Sequence, residues 1–136
     1  MKKAFWLNDF WYNRRMKYNI TKLAVVGSRT FQDYPLLRQS ILDHVNIEAL
    51  QTIISGGATG ADALAERFAA EFHLQLECYP ADWRHYGRAA GPKRNSLIAQ
   101  ACDACIAFPI GSSPGTTDAI KKCRAKAKPV FVIATP

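Results

Sequence analysis

The chain has 136 residues, 49% of them hydrophobic and 21% charged, which suits one globular core and is too short for two. No apolar run approaches the ~20 residues that a bilayer-spanning helix needs. Asn8, Asp9, Asn13, Arg14 and Arg15 interrupt the start where a secretory signal would be continuously apolar, so a cytoplasmic protein is expected.

The net charge of +7 is unevenly spread. In residues 1–20, Lys2, Lys3, Arg14, Arg15 and Lys17 stand against Asp9, a local +4 that leaves +3 for the other 116 residues. Phe5, Trp6, Phe10, Trp11, Tyr12 and Tyr18 share this stretch. So many aromatics require a packing partner. Residues 1–20 are read as a basic leader arm that packs on its own domain or on a second subunit, the contact between subunits of a homo-oligomer being the expectation to test, and residues 21–136 as the folded domain.

From residue 22 strands and helices alternate. Lys22-Leu23-Ala24-Val25-Val26-Gly27 reads as a buried parallel strand ending in glycine. Pro35 opens a helix with Leu36, Leu37, Ile41, Leu42 and Val45 on one face. Thr52-Ile53-Ile54-Ser55 is the second strand, and a helix follows from Gly60 with Ala61, Leu64, Ala65, Phe68 and Ala69 at helical spacing. Residues 74–79 give a third strand, stopped by Pro80. Residues 81–91 read as a loop, and Pro92 sits in the first turn of a helix that continues through Ala101. Residues 104–108 are the fourth strand, residues 115–127 a helix, and residues 129–133 the last strand.

This alternation predicts right-handed β-α-β units: an α/β, Rossmann-like, doubly wound parallel sheet of five strands in the order 3-2-1-4-5. Such sheets bind ligands at the carboxyl ends of their strands, where the order reverses. Cys102 and Cys105 form a Cys-x-x-Cys, but no second pair or nearby histidine completes a zinc set. They are expected to be buried free thiols, with redox use as the alternative.

Four special loops fall at strand ends. The first is Gly27-Ser28-Arg29-Thr30, and the second runs Ser55-Gly56-Gly57-Ala58-Thr59-Gly60-Ala61-Asp62. The third begins Asp82-Trp83 and ends Gly91-Pro92-Lys93-Arg94-Asn95, and the fourth runs Gly111-Ser112-Ser113-Pro114-Gly115-Thr116-Thr117-Asp118. Glycines let backbone amides approach a ligand, and helix N-termini favour anions. Arg29 and Arg94 add planar forks suited to phosphate. The expected ligand site comprises Gly27, Ser28 and Arg29; Gly56, Gly57, Ala58, Thr59 and Gly60; Asp82 and Trp83; Arg94 and Asn95; and Gly115, Thr116 and Thr117. The phosphate is placed between residues 56–60 and 115–117.

These segments, in this order and covering residues 22–133, resemble the YspA-type, YpsA-related branch of the SLOG superfamily. The resemblance implies a Rossmann-like fold that binds nucleotides or nucleotide-derived molecules. More distant members are the LOG phosphoribohydrolases, which cleave base from ribose 5'-monophosphate, and the DNA-binding protein DprA. The LOG loop Pro-Gly-Gly-x-Gly-Thr-x-x-Glu is matched here by residues 109–118 with changed spacing, Asp118 standing near the place of the glutamate.

Three functions compete. One is binding or sensing of an NAD-like, ADP-ribose-like or nucleoside monophosphate ligand, with Trp83, Tyr86 and Asp62 available to base or ribose. The second is metal-free hydrolysis of an N-glycosidic bond, with Asp62, Asp82 and Asp118 as candidate carboxylates and Arg94 holding the phosphate. The third is nucleic-acid binding, which the leader favours and the small charge excess of the body disfavours. No cofactor other than the nucleotide-like ligand, no metal and no membrane partner are expected.

Overall fold

A computed structural model describes residues 17–135. The subunit-contact role of the leader, except for its last residues, lies outside the described residues. The elements are β1 (Lys22–Gly27), α1 (Tyr34–His44), β2 (Thr52–Ser55), α2 (Ala61–Glu71), β3 (Gln75–Cys78), α3 (Trp83–Tyr86), a 3-10 turn (Gly87–Ala89), α4 (Ala90–Ala101), β4 (Ala104–Phe108), α5 (Pro114–Ala125) and β5 (Val130–Val132). All five strands are parallel, in the order β3-β2-β1-β4-β5. The α/β Rossmann-like fold is the one that the sequence predicts.

Side chains alternate across the two faces of a strand, so β1 feeds two cores. Leu23 and Val25 join Ile53, Ile106, Phe108, Leu37, Ile41 and Phe68 under α1 and α2. Ala24 and Val26 join Ile54, Cys105, Ala107, Ile98, Ala119 and Cys123 under α4 and α5. The interior strand β4 is buried throughout, whereas β3, at one edge, is largely exposed. Cys102, Cys105 and Cys123 are buried, and Cys78 is exposed. The Cys102 thiol is pushed far up by its hydrogen bond to Cys123 and by burial, which makes it a poor nucleophile.

One expectation is corrected. Residues 81–91 are not an open loop, because Asp82 caps a short helix by accepting from the His85 amide at 3.1 Å. Helix α4 then starts at Ala90, two residues before Pro92. Proline is tolerated there because first-turn amides have no intrahelical acceptor. Among the described residues no helix is long and apolar enough to cross a membrane.

Candidate functional site

The carboxyl ends of β1, β2 and β4 open into a cavity of about 580 Å³, which also takes in the N-termini of α4 and α5. That volume falls in the ~300–1,000 Å³ range of small-molecule sites. Gly27, Ser28 and Arg29 form one wall, and Gly56, Ala58 and Asp62 the next. Trp83, Arg94 and Asn95 come from α3 and α4, and Gly115, Thr116 and Asp118 from α5. These twelve expected residues converge. The fold does this by placing α2, α4 and α5 so that each begins at the same end of the sheet.

Five expected residues lie outside the cavity wall. Gly57 turns towards β3, where a Cβ would meet Cys78 Sγ at 2.7 Å. Thr59 Oγ1 donates to Arg29 O at 3.4 Å. Gly60, at φ +71°, abuts the backbone of Ser28 and Arg29. Asp82 is spent on capping α3, and the Thr117 amide donates to Ser113 O at 2.9 Å. Gly91, Pro92, Ser112, Ser113 and Pro114, which belong to the strand-end loops but not to the expected ligand set, also line the cavity. Position in a strand-end loop was the available signal for them. Gly91 gives the Trp83 ring room to lie close, since a Cβ there would stand 3.1 Å from it.

The glycine-rich loop after β2 does not present empty amides. The Ala58 amide donates to Asp62 Oδ2 at 3.1 Å, and the Gly57 amide donates to Ser55 Oγ at 3.2 Å. The Ala61 amide closes the loop onto Ser28 O at 3.1 Å. Asp62 thus places the chain's own anion in the concavity that the sequence pattern assigns to phosphate. Burial raises its pKa, opposed by the Ala58 amide, the Arg94 guanidinium and the Gly56 amide.

The other helix start differs. Pro114 has no amide hydrogen, and the Thr117 amide is the first to find an acceptor at the N-cap. The Gly115 and Thr116 amides therefore precede the first closed turn, where helical donors lack intrahelical partners, and both residues line the cavity. Arg94 Nη1 donates to Gly56 O at 2.9 Å, and its Nε donates to Asn95 Oδ1 at 3.0 Å. The Arg29 guanidinium lies 5.7 Å from the Trp83 ring centroid.

Asn95, buried in the wall, joins these parts. Its Nδ2 donates to Gly115 O at 3.1 Å and to Asp118 Oδ2 at 3.0 Å. Lys122 Nζ donates to the same Asp118 oxygen at 2.9 Å. Burial pushes the Asp118 pKa up, but the bonds from Asn95 and Lys122 outweigh it and hold the carboxyl below its ordinary value. The two carboxylates of the cavity are therefore driven in opposite directions. Among the described residues no group of three or more histidine, cysteine or carboxylate side chains could hold a metal ion.

Residues 21–86 match the family described as "YspA, cpYpsA-related SLOG family". The Gene 61 protein of Mycobacterium phage D29 is 30% identical in an alignment of 117 positions that covers 81% of this chain and 94% of that protein. Among solved structures, DNA processing protein A (DprA) from Streptococcus pneumoniae is similar with a TM-score of 0.70 at 20% identity. DNA processing protein A from Helicobacter pylori, whose structure is described for its single-stranded DNA binding mode, is similar with a TM-score of 0.56 at 19% identity. Each likeness covers 85% of this chain, but only 51% and 66% of those chains, and it speaks to the fold alone.

Proposed function

The chain belongs to the YspA, cpYpsA-related SLOG family, and from that premise we propose that its cavity binds a phosphate-bearing, nucleotide-derived small molecule. The observation that carries this reading is the meeting of the Gly115 and Thr116 amides with Arg94 and Arg29 in one cavity walled by Trp83. A phosphate at the α5 N-terminus gains two backbone donors and the positive end of the helix dipole. Arg94, pinned to Gly56 O and Asn95, offers further guanidinium donors from a fixed position. Trp83 provides an apolar face for a base, and Asp62 an acceptor for a ribose hydroxyl. The phosphate belongs against α5 and not in the loop after β2, because the Asp62 carboxylate already takes that place.

The test is a thermal-shift series with AMP, ADP-ribose and NAD against adenosine. Binding to the native state raises the melting temperature in proportion to RT ln(1 + [L]/Kd). The phosphate-bearing ligands are expected to shift the melt and adenosine is not. Equal shifts for adenosine and AMP would overturn the phosphate assignment.

The elevated pKa of Asp62 supports a second reading, hydrolysis of the N-glycosidic bond of a bound nucleotide without a metal. Asp118 is a weaker candidate for that chemistry, since Asn95 and Lys122 already occupy its carboxylate. Chromatographic release of free base from the same ligands decides between binding alone and turnover.

A further inference from the structure

The +3 charge of the folded body conceals a strong segregation. Residues 21–81 carry four lysines and arginines against seven carboxylates, a net −3. Residues 82–128 carry nine against three, a net +6, and residues 129–136 carry none. The second group belongs mainly to α3, α4 and α5. Helices α4 and α5 cover one face of the sheet, with α3 at the mouth of the cavity.

The cations of α4 and α5 stand on neighbouring helices. Lys122 Nζ donates to Pro92 O at 2.7 Å and Lys128 Nζ to Gln100 O at 2.9 Å, so residues 121–128 run alongside α4 from its first turn to its last. Arg84, Arg88, Lys93, Lys121, Arg124 and Lys126 are all exposed. None of these six forms a salt bridge among the described residues. On the opposite face of the sheet, Glu71 of α2 is paired with Arg38 of α1.

Two large aromatics stand among these cations, Trp83 at 49% exposure and Tyr86 at 46%. Lys93 Nζ lies 4.7 Å from the Tyr86 ring centroid, as Arg29 lies over Trp83. Exposed rings flanked by cations are how proteins hold single strands: bases stack on the rings and phosphates meet the charges. A duplex keeps its base faces stacked inside and has no use for such rings.

We propose that the face built by α3, α4 and α5 docks single-stranded nucleic acid, with bases on Trp83 and Tyr86 and the phosphate backbone along Lys93, Lys121 and Arg124. This goes beyond the small-molecule reading of the cavity and does not depend on it.

The experiment is fluorescence anisotropy of the full chain with a labelled 20-nucleotide oligothymidine lacking a terminal phosphate, and with a duplex of the same length, across a salt series. Tighter binding to the single strand is expected. The triple variant Lys121→Glu, Arg124→Glu, Lys126→Glu should weaken it at least tenfold and flatten the log K against log salt slope by about 2, at ~0.7 for each phosphate no longer neutralised. Tyr86→Ala should weaken it about fivefold or more, the scale of one missing base stack. Circular dichroism melts confirm that each variant folds, and Arg84→Glu with Arg88→Glu provides a second charge reversal. Absence of binding at low salt overturns the proposal, as does equal affinity for the duplex. So does a triple variant with unchanged affinity and slope, the loss following instead from glutamine at Lys2, Lys3, Arg14 and Arg15. A small-molecule thermal shift that survives the triple variant keeps the two readings separable.

Discussion

Replacing Asn95 with alanine removes the only side chain that touches Arg94, Gly115 and Asp118 together among the described residues. Three hydrogen bonds disappear. Those to a charged partner are worth ~1.5–3 kcal/mol when buried, and a neutral one ~0.5–1.5 kcal/mol. Arg94 and Asp118 are only half-buried, and water takes over part of what they lose. About 1 kcal/mol per bond, or roughly 2–3 kcal/mol in all, is the expected net cost. At about 4 °C per kcal/mol for a chain of this size, the melting temperature should fall by roughly 8–12 °C. Arg94 also loses the acceptor that fixes its Nε, so AMP affinity should fall about tenfold, which is ~1.4 kcal/mol. The companion variant Asn95→Asp still accepts from Arg94 but sets a carboxylate against Gly115 O and Asp118. At pH 7 it should be at least as unstable as the alanine variant, and it should recover as the pH falls through the carboxylate range and a proton becomes available to donate. Differential scanning calorimetry and titration calorimetry read both effects. An alanine variant that melts within about 2 °C of wild type, or an aspartate variant of full stability at pH 7, would refute the view that Asn95 holds the two walls together.

Asp62→Asn tests the elevated carboxyl. A folded-state pKa above the unfolded one means that ionisation opposes folding, a penalty absent at low pH and complete once the pH exceeds the folded pKa. The variant should therefore gain stability relative to wild type between pH 3 and pH 7, as read by urea melts at both, and a relative loss over that interval would contradict the assignment. Gly60→Ala places a Cβ at φ +71° against the backbone of Ser28 and Arg29, and should destabilise by about 2 kcal/mol or more in the same assay. Arg29→Ala, at an exposed residue on the cavity wall, should lower AMP affinity about tenfold, the scale of one charge-assisted hydrogen bond, with a melting temperature within about 2 °C of wild type. Undiminished affinity would remove Arg29 from the site.

Strand runs such as residues 22–27 and 104–108 announce themselves because a strand buried on both faces must be apolar at every position, a property of the local sequence. Glycines at strand ends and helix starts announce themselves too, and with them the end of the sheet at which a ligand would sit. The helix over residues 83–86 was hidden, since its start rests on one Asp82 cap and it has too few residues to show a period. The use of each amide was beyond the sequence altogether. Residues 56–60 and 115–117 look alike as glycine-rich helix starts, but only the first has a carboxylate folded under it, and that depends on where α2 directs Asp62. The same holds for charge. The sequence supplies +3 for the body, but only the packing of α3, α4 and α5 on one side of the sheet turns it into a basic face opposed to an acidic one, because electrostatic fields add by distance in space and not along the chain.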